Sequence, residues 1–267
     1  MRNPGLAAFL WLAGLAVLLL GQAACHPSPP DPEAGVLEAG RSAFLSGNYR
    51  RAEETYQYYL QAFPHGAERL EAWLRLADIS QDLLDSPEQA ATLLEAALLE
   101  YGRDPEAAPA LLNRAGTLRQ RLREYDKAAA HYGSLLSLPG LPSADRAEAC
   151  RRLARVRFLA RDPAGAEQAY AACRPALPGG DDRARLDMAQ ADLLLRLEKA
   201  PQAETLLAEV WGDAAVSPAV RAEAGFRLGQ GYEARGEKDK ARTLYENIRD
   251  TFPNPLVVDQ RLGYLRR

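Results

Sequence analysis

The sequence predicts an all-α protein: a solenoid of about six helix-turn-helix repeats, closed by a C-terminal capping helix. Three observations lead to this. Alanine and leucine dominate the 267 residues while β-branched residues are sparse, a bias that lowers the cost of helix and offers little to a pleated sheet. Six alanines, Ala52, Ala90, Ala128, Ala166, Ala203 and Ala241, recur at intervals of 38, 38, 38, 37 and 38 residues. Four residues after each stands a bulky side chain: Tyr56, Leu94, Tyr132, Tyr170, Leu207 and Tyr245. A fixed period of this length marks a repeat array.

Residues 1–24 read as an export signal. Arg2 supplies the positive start, an uncharged apolar run follows from Leu6 to Leu20, and the small residues Gly21, Ala23 and Ala24 lead to Cys25. The apolar run is short for a membrane-spanning helix, which needs about 20 residues. Cleavage near Ala23 and an uncleaved anchor are the alternatives to processing at the cysteine. Residues 25–34 carry Pro27, Pro29, Pro30 and Pro32 and predict an extended tether.

The array itself is expected over residues 35–253. In the first unit Gly47-Asn48-Tyr49 makes a turn, and Ala52, Tyr56, Tyr59, Leu60 and Phe63 then share one helical face until Pro64. The second unit opens with Trp73, Leu76 and Ala77. Further turns are expected near Leu122–Glu124, Arg161–Pro163 and Gly236. The last unit places Phe226, Leu228, Gly229 and Tyr232 on one helix and Ala241, Tyr245, Ile248 and Phe252 on the next, ending at Pro253. Gly40, Ala77, Gly116, Ala154, Ala191 and Gly229 fall where each first helix would approach the repeating alanine of the second; close helix approach requires small residues. Pro178 to Asp182 is a hinge or a longer loop, and the alanine period slips by only one residue across it, which favours the loop. Residues 254–267, with Leu256, Val257, Leu262 and Leu265, predict a helix that covers the exposed end of the array.

Trp73-x-x-Leu76-Ala77, Leu228-Gly229-x-x-Tyr232, and Ala241-x-x-x-Tyr245 followed by Pro253 resemble the signature of the tetratricopeptide repeat. The resemblance spans about Gly35 to Arg267, with a period four residues longer than the usual 34. It implies a non-enzymatic scaffold that binds protein or peptide partners along a groove lined by the first helices. Ala23-Ala24-Cys25 resembles the lipobox of bacterial lipoproteins, with Gln22 standing where a branched aliphatic residue is usual. That resemblance implies an acylated Cys25, palmitate included, and a membrane contact through the N-terminal lipid. His26 in place of an aspartate after the cysteine implies the outer membrane, with the body facing the periplasm. The Phe63-Pro64 ending is similar to the repeats of envelope lipoproteins of the BamD type and the YbgF type. It implies a role in outer-membrane protein assembly or envelope biogenesis. A cell-wall or division factor, or a periplasmic enzyme with an unrecognised site, is the alternative.

Net charge is −3, without the basic stripe that nucleic-acid binding needs. His26, His65 and His131 are scattered, and no HExxH, paired CxxC or phosphate-binding glycine loop occurs. Gly229-x-Gly231 lies within a helical unit. No catalytic residue, metal, cofactor or small-molecule substrate is therefore expected. With Cys25 given to lipid, Cys150 and Cys173 face one hairpin interior, either as a disulfide or as two buried thiols filling apolar space. Arg151 and Arg155 lie four apart on the first helix of unit four, and Asn113 and Thr117 hold the equivalent register in unit three. These four are the candidate partner-binding residues. Two arginines on one face suit a partner's carboxylate, in an arrangement similar to the carboxylate clamp of some peptide-binding repeats. A solvated basic face is the alternative reading.

Overall fold

The computed structural model describes residues 32–265, so the segment expected to be an export signal, Cys25 and most of the expected tether lie outside the described residues. Among the described residues there are thirteen α-helices and no strand. They fall into two compact units that divide between Arg75 and Leu76.

The first unit holds α1 (Pro32–Leu45), α2 (Tyr49–Ala62) and the opening turns of α3 (Arg69–Asp78). Helix α1 begins within the segment expected to be tether. Proline is tolerated at a first helical position, where its missing N–H has no partner to lose. Glu33 fastens this turn: its Oε1 accepts from the Tyr59 hydroxyl at 2.6 Å and from the Ala67 backbone N–H at 2.8 Å. Asn48 caps α2 by accepting from Arg51 N–H. At the other end of α2, Arg69 donates to the carbonyls of Leu60 and Phe63, and the latter also accepts from Gly66 N–H, so the end of the helix is satisfied.

The second unit continues through a π-helical turn, Ile79–Leu83, into α4 (Pro87–Tyr101), α5 (Ala107–Arg121), α6 (Tyr125–Ser137), α7 (Ser143–Leu159) and α8 (Pro163–Cys173). After a 3-10 turn at Arg174–Ala176 come α9 (Asp181–Arg196), α10 (Ala200–Gly212), α11 (Pro218–Ala234), α12 (Lys238–Ile248) and α13 (Pro255–Leu265). Consecutive helices pack as hairpins, and the first helices α7, α9 and α11 also pack on one another in order. Residues 178–180 form a loop that ends in Gly180 at φ +90°, and Asp181 and Asp182 already belong to the first turn of α9.

All six repeating alanines are fully buried. The partner of the small first-helix residue differs from expectation. It is the tyrosine four residues beyond the alanine: a Cβ on Gly40 would lie 3.1 Å from the Tyr56 ring, one on Gly116 2.8 Å from Tyr132, and one on Gly229 2.5 Å from Tyr245. A tyrosine ring at this position thus occupies the room of a missing methyl. The two repeats with alanine and leucine, Ala77 with Leu94 and Ala191 with Leu207, solve the same volume the other way. Only unit four combines an alanine, Ala154, with a tyrosine, Tyr170.

The turns inside the hairpins share one backbone device. Gly47, Asp85, Arg123, Arg161, Glu198 and Gly236 all have φ between +48° and +77°, and each stands five residues before its repeating alanine. Around Arg161, for example, Arg161 N–H bonds to the Phe158 carbonyl and Asp162 N–H to that of Arg157, which closes the end of α7. Helix α13 packs on α12 with Leu262 and Leu265 buried as expected; Val258 joins them, and Leu256 is exposed.

Candidate functional site

Between α7, α8 and α9 lies a cleft of about 340 Å³. Its apolar wall is Ala154, Phe158 and Leu159 from α7, Tyr170 from α8, and Ala189 and Leu193 from α9. Around it stand Arg151, Arg155, Arg196 and Asp192. Helical spacing delivers these groups: 151, 154, 155 and 158 share one face of α7, and 189, 192, 193 and 196 one face of α9.

The charges are unequally satisfied. Asp192 accepts from Arg227 of α11 at 3.0 Å. Arg151 pairs through one terminal nitrogen with Glu148, while its Nε is buried without a hydrogen-bond partner among the described residues. A buried donor left unmatched costs about 1–3 kcal/mol. Arg155 and Arg196 are exposed and make no hydrogen bond or ion pair among the described residues. Burial pushes the Tyr170 hydroxyl up to about 12, with Arg151 and Arg196 opposing the shift and Asp192 adding to it. At neutral pH it is an uncharged donor set beside the arginines.

Cys150 and Cys173 are joined as a disulfide across α7 and α8, with Cα atoms 6.2 Å apart. Cys150 directly precedes Arg151, and Cys173 lies one turn beyond Tyr170, so the cross-link clamps the two helices that form one side of the cleft.

The four candidate residues are not all brought together. Arg151 and Arg155 line the cleft, whereas Thr117 accepts at 2.8 Å from Arg152, the arginine between them, and donates back to the Asn113 carbonyl. Thr117 thus ties α5 to α7, and neither it nor Asn113 lines the cleft. Sequence reasoning missed Arg196, Asp192, Phe158 and Tyr170 as neighbours of the arginines. The repeat register held the signal, because positions 189, 192 and 196 of the next first helix lie beside 151 and 155.

A second polar cluster surrounds Arg119, which is nearly fully buried. Its guanidinium donates to both oxygens of Glu95, at 2.8 and 2.5 Å, and to Glu124 at 2.6 Å, and His131 Nε2 lies 2.9 Å from Glu95 Oε1. Arg119, and then His131, hold the Glu95 carboxyl below its ordinary value against burial. Among the described residues no three histidine, cysteine or acidic side chains are grouped as a metal site, and no helix is long and apolar enough to cross a membrane.

The family model described as tetratricopeptide repeat matches residues 223–255, which cover most of α11, all of α12 and the start of α13. The fold is a tetratricopeptide-repeat array. Among solved structures, BtubC from P. vanneervenii is similar at 20% identity and a TM-score of 0.52, over 82% of this chain and 94% of that one. A tetratricopeptide repeat protein from Parabacteroides merdae gives 16% identity and 0.43, over 88% and 99%. PilF of Pseudomonas aeruginosa gives 19% and 0.44, over 88% and 96%. Among curated proteins no sequence matches. In tetratricopeptide terms the cleft lies at the junction of the fourth and fifth repeats, on their first helices.

Proposed function

We propose that this protein is a non-enzymatic scaffold that binds a partner protein segment in the cleft between α7, α8 and α9. The observation that carries the reading is the cleft's composition: an apolar wall with arginines around it, two of which have no hydrogen-bond or ion-pair partner among the described residues. An apolar surface with a few fixed polar groups is what an extended peptide needs for anchoring and register. The repeat fold supports the same reading, since stacked hairpins present long side-chain faces for partners.

The scaffold is exported and held by lipid on Cys25 at a bacterial outer membrane, facing the periplasm, and it serves outer-membrane protein assembly or envelope biogenesis. This part rests on the N-terminal sequence pattern alone. Several acyl chains anchor firmly where one binds only reversibly.

Affinity capture from crosslinked envelopes, comparing wild type with an Arg151→Gln/Arg155→Gln double variant, tests the binding site. A partner recovered with wild type and lost with the variant is the expected result. Equal recovery from both, at equal melting temperature, would remove the cleft from the account.

A further inference from the structure

We propose that Pro27 to Asp31, the proline-rich segment ahead of α1, folds back onto the outer face of the first hairpin and serves there as a strap. It takes the place that the second helix of a preceding repeat holds elsewhere in the array.

Register defines the face. In repeats three and six the first helix turns the positions four or one before its small residue toward the second helix of the repeat before it. Leu112, four before Gly116, is buried in a cluster that Leu98 of α4 packs against. Leu228, one before Gly229, is buried with Leu207 and Val210 of α10. The position three beyond the repeating alanine completes the face. There His131 meets Glu95 of α4 at 2.9 Å, and Leu244 joins the cluster of Leu207 and Val210. The first hairpin carries the same positions as Val36 and Ala39 on α1 and Thr55 on α2. Among the described residues no helix precedes α1, and the face is an open groove of about 400 Å³. Val36, Ala39, Thr55, Tyr58, Glu54 and Pro32 line it. Tyr58 is 56% exposed, and Glu54 makes no hydrogen bond or ion pair among the described residues.

Connectivity, reach and charge name the occupant. In repeats three and six the residues that cover this face come shortly before the first helix in the chain. Ahead of α1 the chain reads Pro27-Ser28-Pro29-Pro30-Asp31, and the next residue, Pro32, itself lines the groove. A run so rich in proline supplies no helix, but its polyproline conformation is pre-ordered and suits a groove with an aromatic wall. Pro27 and Pro30 lie three apart, one turn of that conformation, and so present one face to Tyr58 and Val36. At about 3.1 Å per residue the five residues span about 15 Å, whereas Pro32 to Ala39 covers about 10 Å along α1. Ala39 and Glu54 stand at matching heights on the two helices, on either side of the turn at Gly47. The strap therefore reaches the far end of the groove, where His26 donates to the Glu54 carboxylate and adds a positive charge below about pH 6.5. Seated this way, it holds residue 25 beside the first hairpin and not at the end of a free spacer.

Disulfide trapping tests the docking, on the chain beginning at residue 25 with Cys25→Ser and with the Cys150–Cys173 bond kept. Ser28→Cys is combined either with Thr55→Cys, in the groove, or with Gln57→Cys, about half a turn round α2 from it. Oxidation in glutathione buffer is followed by mass spectrometry, and each thiol's own rate with glutathione is divided out. The expected result is bridging at least about tenfold faster in the Thr55→Cys pair, at a rate independent of protein concentration, since a docked segment raises the local concentration of its thiol. Tyr58→Ala removes an exposed ring and should abolish the preference at an unchanged melting temperature. Equal rates at the two positions, a preference that survives Tyr58→Ala, or bridges that form only between copies would each overturn the proposal.

Discussion

Replacing Arg123, Arg161 and Glu198 together by glycine should make the protein more stable, although each change deletes a charged side chain. All three residues lie in the left-handed region, at φ +61°, +63° and +60°, at the hairpin turns of repeats three, four and five. The equivalent turns of repeats one and six use Gly47 and Gly236, at +76° and +77°. All three side chains are exposed and make no hydrogen bond or ion pair among the described residues, so only backbone energetics are at stake. A side chain in this conformation costs about 1–2 kcal/mol, and glycine's extra freedom in the unfolded chain offsets about 0.4–1 kcal/mol of the relief. The net gain is roughly 0.5–1 kcal/mol per site. The sites are one repeat apart and share no partner, so the gains add to about 2 kcal/mol. For a chain of this size that raises the melting temperature by roughly 4–8 °C. Thermal melts followed by circular dichroism read the effect. Gln168→Gly, on the exposed face of α8, serves as the control and should cost about 1 kcal/mol. A triple variant no more stable than wild type, with the control behaving as stated, would refute the claim that these turns are strained.

Glu95→Gln should destabilise by about 2–3 kcal/mol, because it leaves the buried Arg119 with Glu124 as its remaining carboxylate. Glu95 is held below its ordinary value in the folded state, so its contribution is complete above about pH 4.5 and is lost as pH falls through the folded value. Urea melts across pH 3–6 should therefore show a shallower acid loss in the variant. The Cys150→Ala/Cys173→Ala variant should lose about 2–4 kcal/mol, given a sequence separation of 23 residues, and thiol titration of the unfolded wild type should find both sulfurs blocked until reductant is added. Wild type expressed with its own leader should partition into detergent and carry acyl groups on Cys25, and Cys25→Ser should not. A mature chain beginning at Ala24 without lipid, read by mass spectrometry, would remove the anchor and leave export.

The fold was legible because a period near 38 residues forces the same few contacts to recur, and the buried alanine with its bulky fourth neighbour marks each hairpin. Turns at Leu122–Glu124 and Arg161–Pro163 could be placed from that period although no glycine stands there. The partner of Gly116 and Gly229 was not legible. Spacing along the chain gives the face of a helix, but the depth to which Tyr132 or Tyr245 reaches across a hairpin depends on rotamer and approach distance. On α13, Leu262 and Leu265 turn inward as expected, but at the start of the helix, set by Pro255, it is Val258 and not Leu256 that does so. At the cleft, Arg151 and Arg155 stood out as a pair on one helix. Asn113 and Thr117 lie outside this cleft because adjacent positions on α7 have different neighbours: Arg152 donates to Thr117, and Arg155 lines the cleft with α9.

The most direct measurement of the central claim is photo-crosslinking in living cells with a benzophenone amino acid in place of Phe158, in the wall of the cleft. The account predicts a discrete adduct with a partner protein, lost when Arg151→Gln and Arg155→Gln are added. An adduct unaffected by the two substitutions, or no adduct at Phe158 while one forms from the exposed Leu99 on α4, would contradict it.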